Sequence, residues 1–90
     1  VDFEHDVVRH RYVGRIDGEV ICSLDYAERG GVVSMTRTFT NQAFRGRGHA
    51  AEITAHAVGE AAAAGKSVRP MCWYVAQWFD EHPEMAELLA

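Results

Sequence analysis

Apolar and polar residues alternate loosely from Val7 to Ile16, and after Asp17-Gly18 the alternation resumes from Glu19 to Tyr26 with Val20, Cys22 and Leu24 on one side. Period-two alternation describes a strand with one buried face, and Asp-Gly is a strong turn signal between two such strands. The pattern predicts a β-hairpin. Arg29-Gly30-Gly31 marks a second turn, and the valine- and threonine-rich run Val32–Thr40 predicts a third antiparallel strand. The first half of the chain reads as a meander.

After Gly48 the period changes. Ala50, Ile53, Ala57, Val58, Ala61 and Ala64 recur at the spacing of one helix face, so a small-residue face is expected against the sheet, with Glu52, His56 and Glu60 pointing away. Gly65 ends the pattern as a C′ residue, and Lys66 falls where the negative end of the helix dipole favours a cation. Val68 to Cys72 has the length of a buried strand, and a helix joining two strands of one sheet implies a right-handed parallel crossover, so Val68–Cys72 should pair with Val32–Thr40. Trp73 to Phe79 predicts a short helix. Pro83 takes the first position of a last one, Glu84 to Leu89, whose early acids complement its dipole. The expected fold is α/β (α+β): an antiparallel meander, a helix, a parallel-paired strand and short C-terminal helices, forming one domain over residues 1–90.

A chain of 90 residues buries roughly 60–65% of its unfolded surface. No apolar run approaches the roughly 18 residues of a membrane span, and the acidic start Val1-Asp2-Phe3-Glu4 lacks the basic segment and apolar core of a secretory leader. A cytoplasmic location without membrane attachment is expected, as a monomer or weak homodimer. Cys22 and Cys72 fit neither a disulfide framework nor a C-x-x-C ligand pair, so both are expected as free thiols. His49 and His56 stand about 10 Å apart along a helix, too far for one ion, and no H-x-x-x-H pair occurs, so no metal is expected.

The net charge of −4 argues against a general nucleic-acid binder, which needs a basic face. Its distribution says more than its sum. From Arg37 to Arg69 five cations (Arg37, Arg45, Arg47, Lys66, Arg69) face two acids (Glu52, Glu60), so this stretch carries +3 and the remainder −7. A local basic patch on an acidic chain suits a compact anion. At its centre Arg45-Gly46-Arg47-Gly48-His49-Ala50 opens the helix, and a glycine turn there leaves backbone N–H groups unpaired near the positive end of the dipole, an arrangement suited to phosphate. In this turn the backbone N–H of His49 matters more than its ring. Gly46-x-Gly48-x-x-Ala51 also fits the loose dinucleotide fingerprint, but it follows an antiparallel meander and leaves too little chain for further parallel strands.

The turn matches the R/Q-x-x-G-x-G/A pyrophosphate loop of the GNAT superfamily of acyl-CoA-dependent N-acetyltransferases, between a strand and a helix as in that family. Arg69-Pro70-Met71-Cys72-Trp73-Tyr74-Val75 followed by His82-Pro83-Glu84-Met85-Ala86 resembles its small single-domain branch, with a P-x-C-x-[YF]-V … H-P-E-[YF]-A half, and the likeness covers almost the whole chain. The resemblance implies acetyl-CoA as cosubstrate, its pyrophosphate on the amides of Arg45, Gly46, Arg47, Gly48, His49 and Ala50 and its pantetheine arm along Phe39 and Thr40. It implies an amine acceptor, small molecule or protein, and the acetyl group between the ends of Val32–Thr40 and Val68–Cys72. Cys72 then becomes a candidate to accept the acetyl group or line its pocket. Tyr74 is a candidate proton donor to the departing thiolate, and His82 a candidate base. Relatives carry something like H-T-E-V where this chain has Arg37-Thr38-Phe39-Thr40, so the acidic group that could act as base is absent. The expectation is N-acetyl transfer, with an acyl-CoA-binding module of little turnover as the alternative.

Overall fold

A computed structural model describes residues 1–90. Its sheet has five strands in sequence order: β1 (Asp2–Asp6), β2 (Arg11–Ile16), β3 (Glu19–Arg29), β4 (Val32–Thr40) and β5 (Ser67–Pro70). The first four run antiparallel as a meander, and β5 pairs parallel to β4 after the crossover helix α1 (His49–Ala63). A second helix, α2 (Trp73–Glu81), follows β5, with 3-10 turns at Gln42–Phe44 and Pro83–Leu88.

The predicted meander, crossover and parallel pair are present, with corrections at both ends. Val7 to Ile16 is not one strand. The Asp6 carboxylate accepts from the Arg9 N–H at 3.1 Å and from its guanidinium at 3.1 Å, which closes a turn over residues 7–10. Val7 and Val8 are thereby left in solvent, Val8 at 91% exposure, and β1 forms ahead of the turn. Adjacent valines were a turn inside an apparent alternation. At the other end, the last helix, expected over Glu84 to Leu89, is a 3-10 run over Pro83–Leu88 rather than an α-helix. Its tighter winding advances the chain about 2.0 Å per residue, and Leu89 at once bridges Val68 while the Ala90 N–H reaches the Val68 carbonyl at 2.8 Å. The C-terminus thus covers the outer edge of β5.

Helix α1 ends as the sequence predicts. Gly65 N–H bonds to Ala62 O at 3.0 Å and Lys66 N–H to Ala61 O at 2.9 Å, the paired bonds of a Schellman close. The Lys66 ammonium leaves the helix end for Glu28, 2.7 Å away on β3. Ile53, Ala57, Val58 and Ala61 are buried against Tyr12, Cys22, Leu24, Tyr26, Val33, Met35 and Val68, and Val75, Trp78 and Phe79 of α2 complete the same core. The outward face of α1 is narrower than expected. His56 stacks on Phe3 at 5.1 Å and meets Tyr12 edge-on at 5.9 Å, and after burial the charge of Glu60 is what most raises the Tyr12 pKa. The ion pairs Arg11–Asp25 at 2.6 Å and Arg15–Glu4 at 3.1 Å lie at the surface, where water and salt screen them and leave them little net contribution. The helix-covered core therefore dominates stability.

Two irregularities shape the sheet. In β3, Gly14 pairs with Cys22 and Arg15 with Val20, leaving Ile21 as an extra residue whose carbonyl accepts from the Asn41 N–H at 2.7 Å. In β4, Met35 pairs with Tyr26 and Arg37 with Asp25, leaving Thr36 between them without a partner. Such a bulge reverses the side on which following residues point. Parallel pairing with β5 stops there too, at Met35 with Pro70.

Gly14 is held by space rather than dihedral angle. A Cβ on it would stand 2.6 Å from Cys22 Sγ and 3.2 Å from both Phe3 and Val1 side chains. Cys22 is fully buried and cannot retreat. Gly14→Ala should lower stability by about 1–3 kcal/mol, read as a reduced urea midpoint with an unchanged slope.

Candidate functional site

The site begins where β4 and β5 part. The Met35 carbonyl accepts the N–H groups of both Met71 and Cys72 at 3.0 Å each, so β5 ends at Pro70 rather than at Cys72 and the chain turns straight into α2. Beyond this point β4 continues to Thr40 paired only with β3, and a cavity of about 880 Å³ opens between the diverging elements. Thr36 to Thr40 form one wall and Met71 to Tyr74 another. Phe44, Arg45, Gly46, Gly48, His49 and Ala50 close the end towards α1.

That end is a field of free donors. Asn41 Oδ1 accepts from the Ala43 N–H at 3.0 Å, and Phe44 and Arg45 close a 3-10 turn on Asn41 and Gln42. From Gly46 through Ala51 no backbone N–H then finds an acceptor within the chain; the first bonded one, Glu52, reaches Gly48 O at 3.1 Å. Gly48 caps the helix at φ 81°, and Gly46 also has φ 81°. There is open space around both, so conformation and not crowding selects glycine. No side chain caps the helix, which leaves its positive end directed at the cavity. Arg45 Nε bonds to Thr40 O at 3.3 Å and ties this turn to β4.

Cys72 sits at the opposite end, as the N-cap of α2 with extended backbone. Its Sγ lies 3.7 Å from Thr38 Oγ1. Burial pushes the thiol up, but the Val75 N–H, the Thr38 hydroxyl, the Tyr74 N–H and the Thr38 backbone together outweigh it, so the pKa falls below its ordinary value. Cys22 is the reverse case: buried in the core, its pKa is raised chiefly by desolvation. Tyr74 lines the cavity beside Cys72, and burial, then the charge of Glu81, keeps its hydroxyl protonated to higher pH.

The family model of the GCN5-related N-acetyltransferases matches residues 2–88. The chain belongs to this family. Among curated proteins, none matches the chain in a sequence search. The meander, the parallel β4–β5 pair and the helices are those of a small GNAT fold, and members of the family generally use acetyl-CoA. No helix is long and apolar enough to cross a membrane.

On this N-acetyltransferase fold, the residues singled out by sequence fall into three groups. Phe39, Thr40, Arg45, Gly46, Gly48, His49, Ala50, Cys72 and Tyr74 all line the one cavity. The Arg47 side chain does not; its guanidinium lies over the Phe44 ring at 5.3 Å, although its N–H belongs to the free series. His82 is nowhere near the wall. It ends α2, about 15 Å along the helix from Cys72, with its ring stacked on Trp78 at 4.0 Å and its Nδ1 donating to the Trp78 carbonyl at 2.7 Å. The His49 ring, close to Phe44, bonds through Nδ1 to Glu52 at 2.9 Å. Sequence reasoning gave no role to Thr38, Met71 or Trp73, whose places depend on the Thr36 bulge and the bend at Met71.

The two cysteines provide a direct test. Iodoacetamide should modify Cys72 first, with a pH midpoint below that of a free thiol, while Cys22 stays protected until unfolding. Peptide mapping across a pH series reads both; equal labelling, or an ordinary midpoint at Cys72, would contradict this arrangement.

Proposed function

We propose that the chain is an acetyl-CoA-dependent N-acetyltransferase of the small branch with the P-x-C-x-[YF]-V … H-P-E half, formed as one domain over residues 1–90 and acting on an amine. The observation that carries this reading is that one cavity joins the free N–H series of Gly46–Ala51 to the Cys72 thiol. A diphosphate needs several convergent donors, and a thioester needs a nucleophile at a fixed distance from them. Both are supplied within a single groove.

In this reading the amides from Gly46 to Ala50, with Arg45, hold the CoA diphosphate. The edge of β4 beyond Met35 has no strand partner, so the pantetheine arm adds to it as an extended strand along Phe39 and Thr40. The Cys72 thiolate attacks the thioester carbonyl carbon, the bond from that carbon to the CoA sulfur breaks, and the Tyr74 hydroxyl supplies the proton that the departing CoA thiolate takes up. The acceptor amine then attacks the acetyl carbon on Cys72, whose thiolate leaves as the amine proton passes to water, and Tyr74 regains its proton from solvent. Positioning of the two reacting centres supplies much of the rate. His82, anchored on Trp78, serves the fold in this scheme.

A second reading has its own support: no carboxylate lines the cavity, and its one histidine is engaged with Glu52. A site without a base suits an acyl-CoA-binding module with little turnover.

Acetyl-CoA should raise the melting temperature by mass action on the folded state. Gly48→Val should remove that shift, since a β-branched side chain disfavours φ 81° and obstructs the donors. An undiminished acetyl-CoA titration in this variant would exclude the loop as the binding site. Without acceptor, acetyl-CoA should leave the protein heavier by one acetyl group on Cys72, and Cys72→Ser should not acquire it. Intact mass with peptide mapping decides between relay, direct transfer and binding alone: acetylation elsewhere, or full turnover by Cys72→Ala, removes the relay, and binding without CoA release on any amine favours the module.

A further inference from the structure

The bulge at Thr36 determines which side of the sheet meets the acceptor. Before it, Met35 lies beside Tyr26 in the core; after it, Arg37 pairs with Asp25 and Thr38 with the buried Leu24. Arg37 and Phe39 therefore project on the face opposite the core while remaining on the cavity wall. Without the bulge, Arg37 would share a side with Met35.

Arg37 is a cation without a partner. Its cross-strand neighbour Asp25 is committed to Arg11 at 2.6 Å, and Arg37 itself makes no ion pair or side-chain hydrogen bond. Arg69, beside Ser34 on β5, is likewise in no ion pair, and no acid lines the cavity to offset Arg37 and Arg45. A polycationic acceptor would meet like charge at close range. The cavity also carries large apolar surface in solvent: Phe39 on the wall of Arg37 is 43% exposed, and Trp73 and Met71 on the facing wall are 75% and 61% exposed. Trp73 is braced by Tyr74, edge to face at 5.8 Å. An unpaired guanidinium on one wall of a cavity and an exposed aromatic platform on another recognise one chemistry well: a planar or apolar body that carries an anion.

Building on the transferase reading above, we propose that the acceptor is an aliphatic amine bearing an aromatic ring and a carboxylate, with Arg37 binding the carboxylate and Trp73 and Met71 supporting the ring. Arg37 is then the specificity-determining residue of the site, and a polyamine or a lysine-rich tail is disfavoured.

The test compares twins that differ by one carboxylate. Protein loaded with CoA is titrated calorimetrically with phenylalanine and with phenethylamine, and spermidine serves as the polycation. Phenylalanine should bind about tenfold or more tighter than phenethylamine, the value of a charge-assisted hydrogen bond, and spermidine should be weakest. Arg37→Ala should bring the twins to equal affinity, Arg37→Lys should keep part of the preference, and Trp73→Ala should weaken both aromatics alike. Equal binding of the twins in the unaltered protein, a preference that survives Arg37→Ala, or a loss in Arg37→Ala of CoA affinity instead of selectivity overturns the proposal. CoA release from acetyl-CoA with each twin is measured in parallel and separates the two readings. Selective binding without release on either amine removes the acceptor role and leaves Arg37 as the carboxylate-recognising residue of a binding module, whereas efficient release with phenethylamine and not phenylalanine keeps the transferase and overturns this inference. Failure of CoA to bind removes both.

Discussion

The carbonyl of Met35 is where the sheet stops being a sheet. Two N–H groups, from Met71 and Cys72, converge on it at 3.0 Å each, and the next residue of β4, Thr36, has no partner on β3. A parallel strand could have continued along β4 for as far as β3 does, to Thr40. It cannot, because the oxygen that would carry the ladder forward is shared by two donors that start a bend. The gap between β4 and β5 is therefore a product of backbone hydrogen bonding, and the residues lining it are secondary to that choice. The same bulge turns Arg37 outward, keeps Thr38 over the core beside Cys72, and leaves an unpaired strand edge between them.

The far end of the cavity is set by a different constraint. A helix leaves its first N–H groups without acceptors, and most helices cap them with a side chain. Here Gly48 occupies the cap with φ 81° and has no side chain to offer, so the free series runs on from Gly46 to Ala51. Left to itself this costs stability. Glu52 in the first turn offsets part of it through the dipole, and its bond to His49 holds that carboxylate to the side of the cap. The free N–H series and the Cys72 thiol are thus placed alike, each at the first turn of a helix, and β4 runs between them.

Much of this was legible in the residues. The Asp17-Gly18 turn, the Arg29-Gly30-Gly31 turn, the alanine face of α1 and its Gly65 close are local signals, and local hydrogen bonds decide them. So is the glycine turn before α1, which is why most of the cofactor-binding candidates meet at one wall. Failures came where a competing turn or a distant partner decides. Val7 to Ile16 looked like one strand because the Asp6–Arg9 turn competes with alternation. Met71 and Cys72 looked like strand because their bonds to Met35, half the chain away, leave no local trace. His82 looked near the chemistry through its neighbours in the sequence, yet a helix of nine residues carries it away from Cys72. The side on which Arg37 projects depends on a single unpaired residue and could not be read from spacing.

The thiol argument also closes at this level. Cys22 and Cys72 are the same residue type with pKa values displaced in opposite directions, the first chiefly by burial and the second by donors that outweigh burial. Under the proposed relay a lowered pKa helps twice: a larger fraction of Cys72 is thiolate at neutral pH, and the same sulfur is a better leaving group when the amine attacks its acetyl ester. The intrinsic nucleophilicity of a thiolate falls as its pKa falls, but less than proportionally, so a pKa near ambient pH gives the fastest exchange. No carboxylate is needed to activate such a sulfur. The absence of an acidic base from Arg37-Thr38-Phe39-Thr40 then burdens only the second half of the reaction, where the amine must arrive neutral, and the first half is carried by the N-terminus of α2 and by Thr38.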